Sequence, residues 1–253
     1  MCADNWLNIT MLTANQFFET YREFKSRLPE IPSVLKTDEE ITRWLFKQNV
    51  PYIELDLEFN VEQWLAESKI AEPFLVNHRE SQPHLGWRSC CIHGIDVDKT
   101  GIWSCYADSE PEYHWTSLSE KTPVIKKFWQ DFPFEKLSRV RFMELSSDGF
   151  IAPHNDSPEG FGKDFDSLAH LIPINIAITH PDDCWMTLKD HGIVPWKAGN
   201  IKLVNITNDH SVINFSNRPR MHLIGHGIPG NRRDQFCELI ARSYRKQYER
   251  NRI

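Results

Sequence analysis

The chain has 253 residues, 40% of them hydrophobic and 25% charged, with a formal net charge of −6. This is the composition of a soluble globular protein long enough to bury a sizeable core. The acidic balance argues against a general nucleic-acid binder, yet a single local arginine would still let the protein hold a small acidic ligand.

The N-terminus lacks the basic stretch followed by an apolar stretch that marks a signal peptide. No apolar run approaches the ~18 residues needed to cross a bilayer, so no membrane partner is expected. Cys2, Cys90, Cys91, Cys105, Cys184 and Cys237 show no CxxC spacing. Such scatter suits reduced thiols in a cytoplasmic protein better than a zinc ribbon or a disulfide framework.

In chain order, Phe17, Phe18, Tyr21, Phe24 and Leu28 recur at helical spacing. A second helix is predicted from Thr37, where Thr-Asp-Glu-Glu forms a capping-box pattern ahead of Ile41, Trp44, Leu45 and Phe46. A third is predicted over Val61 to Ala71, with extended stretches at Pro51 to Phe59 and Trp87 to Ile95. Thr122 to Asp131 reads as a short helix with Pro123 near its start. Beyond Leu137 the texture turns to strands: Val140 to Leu145, Leu171 to Thr179, Asn200 to Ile206 and Met221 to Gly225. Turn-rich pieces such as Ser146 to Gly149 and Pro181 to Asp183 separate them. Asp234 to Arg250 reads as an amphipathic helix with a basic outer face. Many short strands without intervening helices predict a mainly β fold, an antiparallel sandwich or jelly roll with flanking helices. No linker interrupts the chain, so residues 1–253 are expected to form one domain: a helical part at 1–85 packed on a β core at 86–227, with a closing helix at 228–253.

Two His-x-Asp tripeptides occur, His154-Asn155-Asp156 and His180-Pro181-Asp182. About one is expected by chance, so context must separate them. In extended backbone, residues two apart face the same side, and His154 and Asp156 follow a strand-like run. Pro181 instead favours an exposed turn at His180. His210, after the apolar run Ile201 to Ile206, is the candidate third ligand. Two histidines and one carboxylate on one face of a metal leave the opposite positions open, the arrangement of non-haem iron(II) oxygenases.

Arg220 lies ten residues past His210, in the next predicted strand. By strand parity Arg220, His222, Ile224 and His226 share a face. An inward guanidinium needs an anionic partner, which a dicarboxylate cosubstrate would supply. An ordinary ion pair is the competing reading. Arg218, the rival arginine, is separated from the strand by Pro219 and reads as a surface residue.

The motifs Phe150-Ile-Ala-Pro-His154-Asn-Asp156, Leu171 to Thr179, Trp196-Lys-Ala-Gly199 and His210 to Leu223, with Gly86-Trp87-Arg88-Ser89 and His93-Gly94 upstream, resemble the aspartyl/asparaginyl β-hydroxylase family. The resemblance covers roughly Leu137 to Gly227 and gives no clear match before Gly86. It implies a double-stranded β-helix (jelly-roll, cupin-like) core and Fe(II) and 2-oxoglutarate as cofactors. It also implies hydroxylation of an amino acid or amino-acid side chain with O₂, as 2-oxoglutarate is converted to succinate and CO₂. His154, Asp156 and His210 would hold the metal and Arg220 the far carboxylate of 2-oxoglutarate. The family's Arg-x-His on the next strand is missing here, leaving His170 or Asn175, with His222 near Arg220, as candidate cosubstrate contacts. Arg88, Trp87, Arg141 and Trp115 are candidate substrate residues, and His93, Trp103, Tyr113 and His114 could also wall the cleft. Two other readings stay open: a cupin-like metal enzyme that is not an oxygenase, and a non-catalytic member that binds a ligand or partner.

Overall fold

The computed structural model describes residues 28–78, 84–101, 111–156 and 171–252. The predicted helix around Phe17 to Phe24 lies outside them. Four α-helices are described: α1 (Asp38–Lys47), α2 (Val61–Ala71), α3 (Pro123–Asp131) and α4 (Arg233–Arg250). The strands are β1 (Tyr52–Glu54), β2 (Val76–Asn77), β3 (Leu85–Gly94), β4 (His114–Trp115), β5 (Lys136–His154), β6 (Ile172–Thr179), β7 (Cys184–Leu188), β8 (Gly192–Val194), β9 (Ile201–Val204), β10 (His210–Asn214) and β11 (Arg220–Ile228).

The strands are joined in the order β1-β9-β6-β11-β5-β10-β7-β8, with β3 on β5 and β2 and β4 on β3. Every described pairing is antiparallel. The result is the predicted jelly roll, a sheet curled into a nearly closed barrel. One apolar cluster lies between this sheet and the helices, around Trp64, Trp129, Phe142, Leu223 and Tyr244. A second fills the barrel interior, around Leu145, Ile151, Met186 and Val212.

β5 corrects one expectation. Ser146 to Gly149 does not end a strand; β5 runs through it, bent, with Asp148 at φ 54°. Before the bend, β5 sits between β3 and β11; after it, β5 pairs with β10. A strand that bends in this way can contribute to both faces of a barrel. A side chain cannot be built on Gly149, because a Cβ there would meet Leu145 Cδ1 and the Ser146 carbonyl at 2.7 Å. Asn214 Nδ2 donates to the carbonyls of Leu145 (3.2 Å), Ser146 (2.9 Å) and Arg218 (2.8 Å), joining the bend to the β10–β11 turn.

The helices lie where their apolar faces predict. The capping box on α1 is complete, with Glu40 N–H on Thr37 Oγ1 at 3.2 Å and Thr37 N–H on Glu40 Oε2 at 2.8 Å. The carboxylate of Glu67, buried on α2, accepts the first free amides of α3 from Val124 (2.8 Å) and Ile125 (2.9 Å). The basic face of α4 is engaged by acids of the N-terminal segment: Arg245 with Asp38 at 2.8 Å, Arg242 with Asp56 at 3.5 Å and Arg250 with Glu54 at 3.2 Å. The N-terminal part is therefore not only helical: β1 extends the sheet beyond β9.

Candidate metal centre and cavity

One cavity of about 410 Å³ opens into the barrel. Its lining includes His154, Asp156, His210, Arg220, His222, Ile224 and His226, together with Trp87, Arg139, Arg141 and Asn175. The β11 parity prediction is met, since Arg220, His222, Ile224 and His226 all face it. Cross-strand register explains how the wall is built. Arg141 on β5, Ile224 on β11 and Asn175 on β6 stand side by side, and Met143 stands beside His222.

His154, at the end of β5, lies opposite His210 at the start of β10. One donor atom from each of His154, Asp156 and His210 lies within 4.8 Å of the others. His154 Nε2 is 3.5 Å from Asp156 Oδ1, and His210 Nε2 is 3.8 Å from Asp156 Oδ2. The other ring nitrogens set the tautomers. Nδ1 of His154 donates to the Ala152 carbonyl at 2.7 Å, and Nδ1 of His210 to the Asn208 carbonyl at 3.0 Å. A carbonyl can only accept, so in the neutral ring each Nε2 keeps its lone pair directed into the cluster, as metal ligation requires. Burial holds the His210 pKa below its usual value and so favours the neutral, ligating form. Two imidazole nitrogens and a carboxylate converge, and this donor set fits a divalent first-row metal.

Further contacts brace this centre, and spacing alone does not reveal them. Asn155, the middle residue of the tripeptide, donates from Nδ2 to Asp209 Oδ1 at 2.9 Å, tying the His154 strand to the residue before His210. The Asp156 amide is held by the Ile206 carbonyl at 3.2 Å.

Arg220 is 4% exposed, its charged group contacts the Cys184 thiol, and its Nε has no hydrogen-bond partner among the described residues. No described carboxylate pairs with it, so the ordinary ion-pair reading has no support in the described residues. β10 and β11 are not neighbours; both flank β5, and the curl of the barrel brings Arg220 to the cavity. Arg218 is exposed, as expected.

His180 departs from expectation. Pro181 does open a turn, but the His180 side chain points inward and is largely buried. Its Nε2 donates to the Cys184 carbonyl at 2.7 Å, so the neutral ring's Nδ1 accepts from His222 Nε2 at 3.0 Å. Burial, with Arg220 nearby, lowers the His180 pKa to about 3, and the same causes hold His222 well below the usual range.

Of the substrate candidates, Trp87 and Arg141 line the cavity; Arg88 and Trp115 do not. Arg88 alternates to the other side of β3, where Glu144 holds it at 2.6 Å. Trp115 packs against His93 at 4.8 Å between ring centres, and Lys126 Nζ lies 5.6 Å from its ring. His93 is itself tied through Nδ1 to the Ser138 carbonyl at 2.9 Å, and Tyr113 and His114 are also absent from the cavity lining. Asn175 faces the cavity. His170 and Trp103 lie outside the described residues.

A jelly roll with a two-histidine, one-carboxylate cluster in its cavity has the make-up of a metal-dependent enzyme. Residues 53–227 match the family model described as Aspartyl/Asparaginyl beta-hydroxylase, and the chain belongs to that family. The match starts at residue 53, well before Gly86, so it takes in the N-terminal segment that carries β1 and α2. No curated protein sequence matches at a significant level. Among solved structures, a Trichoplax adhaerens prolyl hydroxylase, in complex with a hypoxia-inducible-factor peptide fragment, shares 10% identity over 79% of this chain and 96% of its own, at a TM-score of 0.48. A Burkholderia pseudomallei protein of the 2OG-Fe(II) oxygenase family shares 14% over 79% and 92%, at 0.47. A Pseudomonas putida prolyl-4-hydroxylase shares 12% over 70% and 92%, at 0.42.

Proposed function

We propose that this protein hydroxylates an amino acid, free or within a peptide, with Fe(II) held by His154, Asp156 and His210 and with 2-oxoglutarate held at its far carboxylate by Arg220. The observation that carries this reading is the pairing of the convergent donor cluster with a buried arginine that no described acid neutralises, both in one cavity. Bound iron would supply O₂ activation coupled to conversion of 2-oxoglutarate to succinate and CO₂.

The chain's own residues do the positioning. The carbonyls of Ala152 and Asn208 fix the ring orientations of the two histidines. Arg220 offers a planar fork to a carboxylate, and His180 holds His222 beside it as a neutral hydrogen-bonding group. Asn175, beside Ile224 on the neighbouring strand, lines the same cavity. Met143, Ile151, Met186 and Val212 add apolar surface to the cavity wall, and a lowered local dielectric strengthens a carboxylate–guanidinium contact. A cytoplasmic, reducing setting belongs to the same proposal, in keeping with the free thiols of Cys90, Cys91, Cys184 and Cys237.

The test is succinate release from anaerobically iron-loaded protein given O₂, 2-oxoglutarate and a panel of amino acids and short peptides. Stimulated turnover that is lost in His154→Ala supports the reading. Absence of both 2-oxoglutarate binding and its uncoupled decay would sink it.

A further inference from the structure

We propose that His180 is a positioning residue for the cosubstrate: docking of the far carboxylate of 2-oxoglutarate on Arg220 draws one proton from solvent onto the His180–His222 pair. This rests on the proposed function. His180, at the turn after β6, is fixed by a partner that cannot reverse its role. Its Nε2 lies 2.7 Å from the Cys184 carbonyl, so Nε2 carries the hydrogen. In the neutral ring Nδ1 is then an acceptor, and it takes the Nε2–H of His222 at 3.0 Å. By the same rule Nδ1 of a neutral His222 holds a lone pair. That atom has no hydrogen-bond partner among the described residues and is not enclosed, and the ring lines the cavity. Trp196 packs 4.8 Å from His222 and 6.1 Å from His180 between ring centres, which restricts both rings. The chain from the Cys184 carbonyl through two imidazoles therefore ends in an acceptor.

An acceptor is the wrong partner for an anion. Arg220 and His222 share a face of β11 two residues apart, about 7 Å between their origins, so a carboxylate gripped by Arg220 lies beside His222. Reversing both tautomers would turn His222 Nδ1 into a donor. It would also set the His180 Nε2 lone pair against the Cys184 carbonyl oxygen at 2.7 Å. One added proton removes both conflicts. His180 then donates from both nitrogens, His222 Nε2 accepts, and His222 Nδ1–H donates to the carboxylate; the charge rests on His180 and His222 stays neutral. In the empty cavity that form is disfavoured. Burial and then Arg220 hold His180 at about 3, and the same causes hold His222 well below its usual range. A carboxylate offsets Arg220 and gives the new N–H an anionic acceptor. The other described titratable groups facing the pair are Cys184 on β7, its thiol pushed up to about 11 by burial, and Lys202 on β9, ion-paired with Glu54 on β1. Met143 and Ala177, beside His222 on the flanking strands, bring no charge.

The test follows the 2-oxoglutarate Kd of nickel-loaded protein by tryptophan fluorescence across the neutral range, from about pH 6.5 to about pH 8.5. Calorimetry in two buffers of different ionisation enthalpy counts the protons taken up. Carboxyl groups titrate near pH 4, so the cosubstrate itself adds no slope here. Wild-type Kd is expected to weaken as pH rises, by up to about tenfold per pH unit, with net proton uptake approaching one. In His180→Asn the side-chain amide can present either its oxygen or its NH₂ to His222, so His222 can carry its hydrogen on Nδ1 with no added proton. That variant should bind with no pH slope, and at the alkaline end at least as tightly as the wild type. His180→Leu, which also frees the His222 tautomer, serves if the asparagine variant does not fold. A His180 that only supports the fold would give weaker binding with the slope intact. The proposal is overturned if wild-type Kd is flat with no proton uptake, or if the variants keep the wild-type slope. Failure of the wild-type protein to bind 2-oxoglutarate at any pH would instead refute the parent reading.

Discussion

Replacing Arg220 by methionine should make the cofactor-free protein more stable and at the same time remove its response to 2-oxoglutarate. Arg220 is 4% exposed and has no described anionic partner. Substituting a buried charge with an apolar side chain of similar length typically gains about 1–3 kcal/mol. For a chain of this size that raises Tm by about 2–12 °C. The ligand response runs the opposite way. At 100 times its Kd, 2-oxoglutarate adds about 2.7 kcal/mol to wild-type stability. Two charge-assisted hydrogen bonds, each worth about 1.5–3 kcal/mol, disappear with the guanidinium, so the variant's affinity should fall more than 100-fold. The assay is thermal unfolding of nickel-loaded protein, with and without 2-oxoglutarate. The reasoning is refuted if Arg220→Met melts below the wild type and still shifts upward with 2-oxoglutarate, because Arg220 would then be a structural cation rather than a cosubstrate anchor.

The remaining predictions concern the centre's bracing, the core and pH. Asn155→Ala cuts the tie to Asp209 and should weaken metal affinity about 10-fold with little change in Tm, as measured by competition with a chromophoric chelator. Gly225→Ala places a Cβ 2.2 Å from the buried Trp129 ring and should cost about 1–3 kcal/mol in urea unfolding; Trp129→Leu should relieve part of that cost in the double variant. Stability of the metal-free protein should fall as pH drops from 7 to 5. The folded-state pKa values of His180, His222 and His226 lie below the unfolded value of about 6.5, so below that pH the unfolded chain binds protons that the folded chain does not. Each such histidine contributes a slope of about 1.4 kcal/mol per pH unit, lost for His180 only near pH 3, where its folded form protonates. A pH-independent urea midpoint over this range would refute the neutral, buried assignment, and His180→Phe should reduce the slope.

Much of the site could be read from local rules. Strand alternation has a period of two and depends only on the backbone, so it put Arg220, His222, Ile224 and His226 on one face, while Asp156 joins His154 from the bend just after β5. The helix from Thr37 was legible for the same reason: its capping box is completed within four residues. The tertiary structure decided whatever depended on which strands became neighbours. Pro181 does make a turn, but the adjacent His222 draws His180 inward. Arg88 sits on a strand beside the cavity, yet Glu144 across the β3–β5 ladder claims it. Arg139 carried no motif, and it lines the cavity because it alternates with Arg141 on the same face of β5. Sheet order and curl result from burying the apolar faces of distant segments together, and no local spacing encodes them. The three convergent donor residues could therefore be picked out from the chain alone, while the groups that orient them emerged only from the fold.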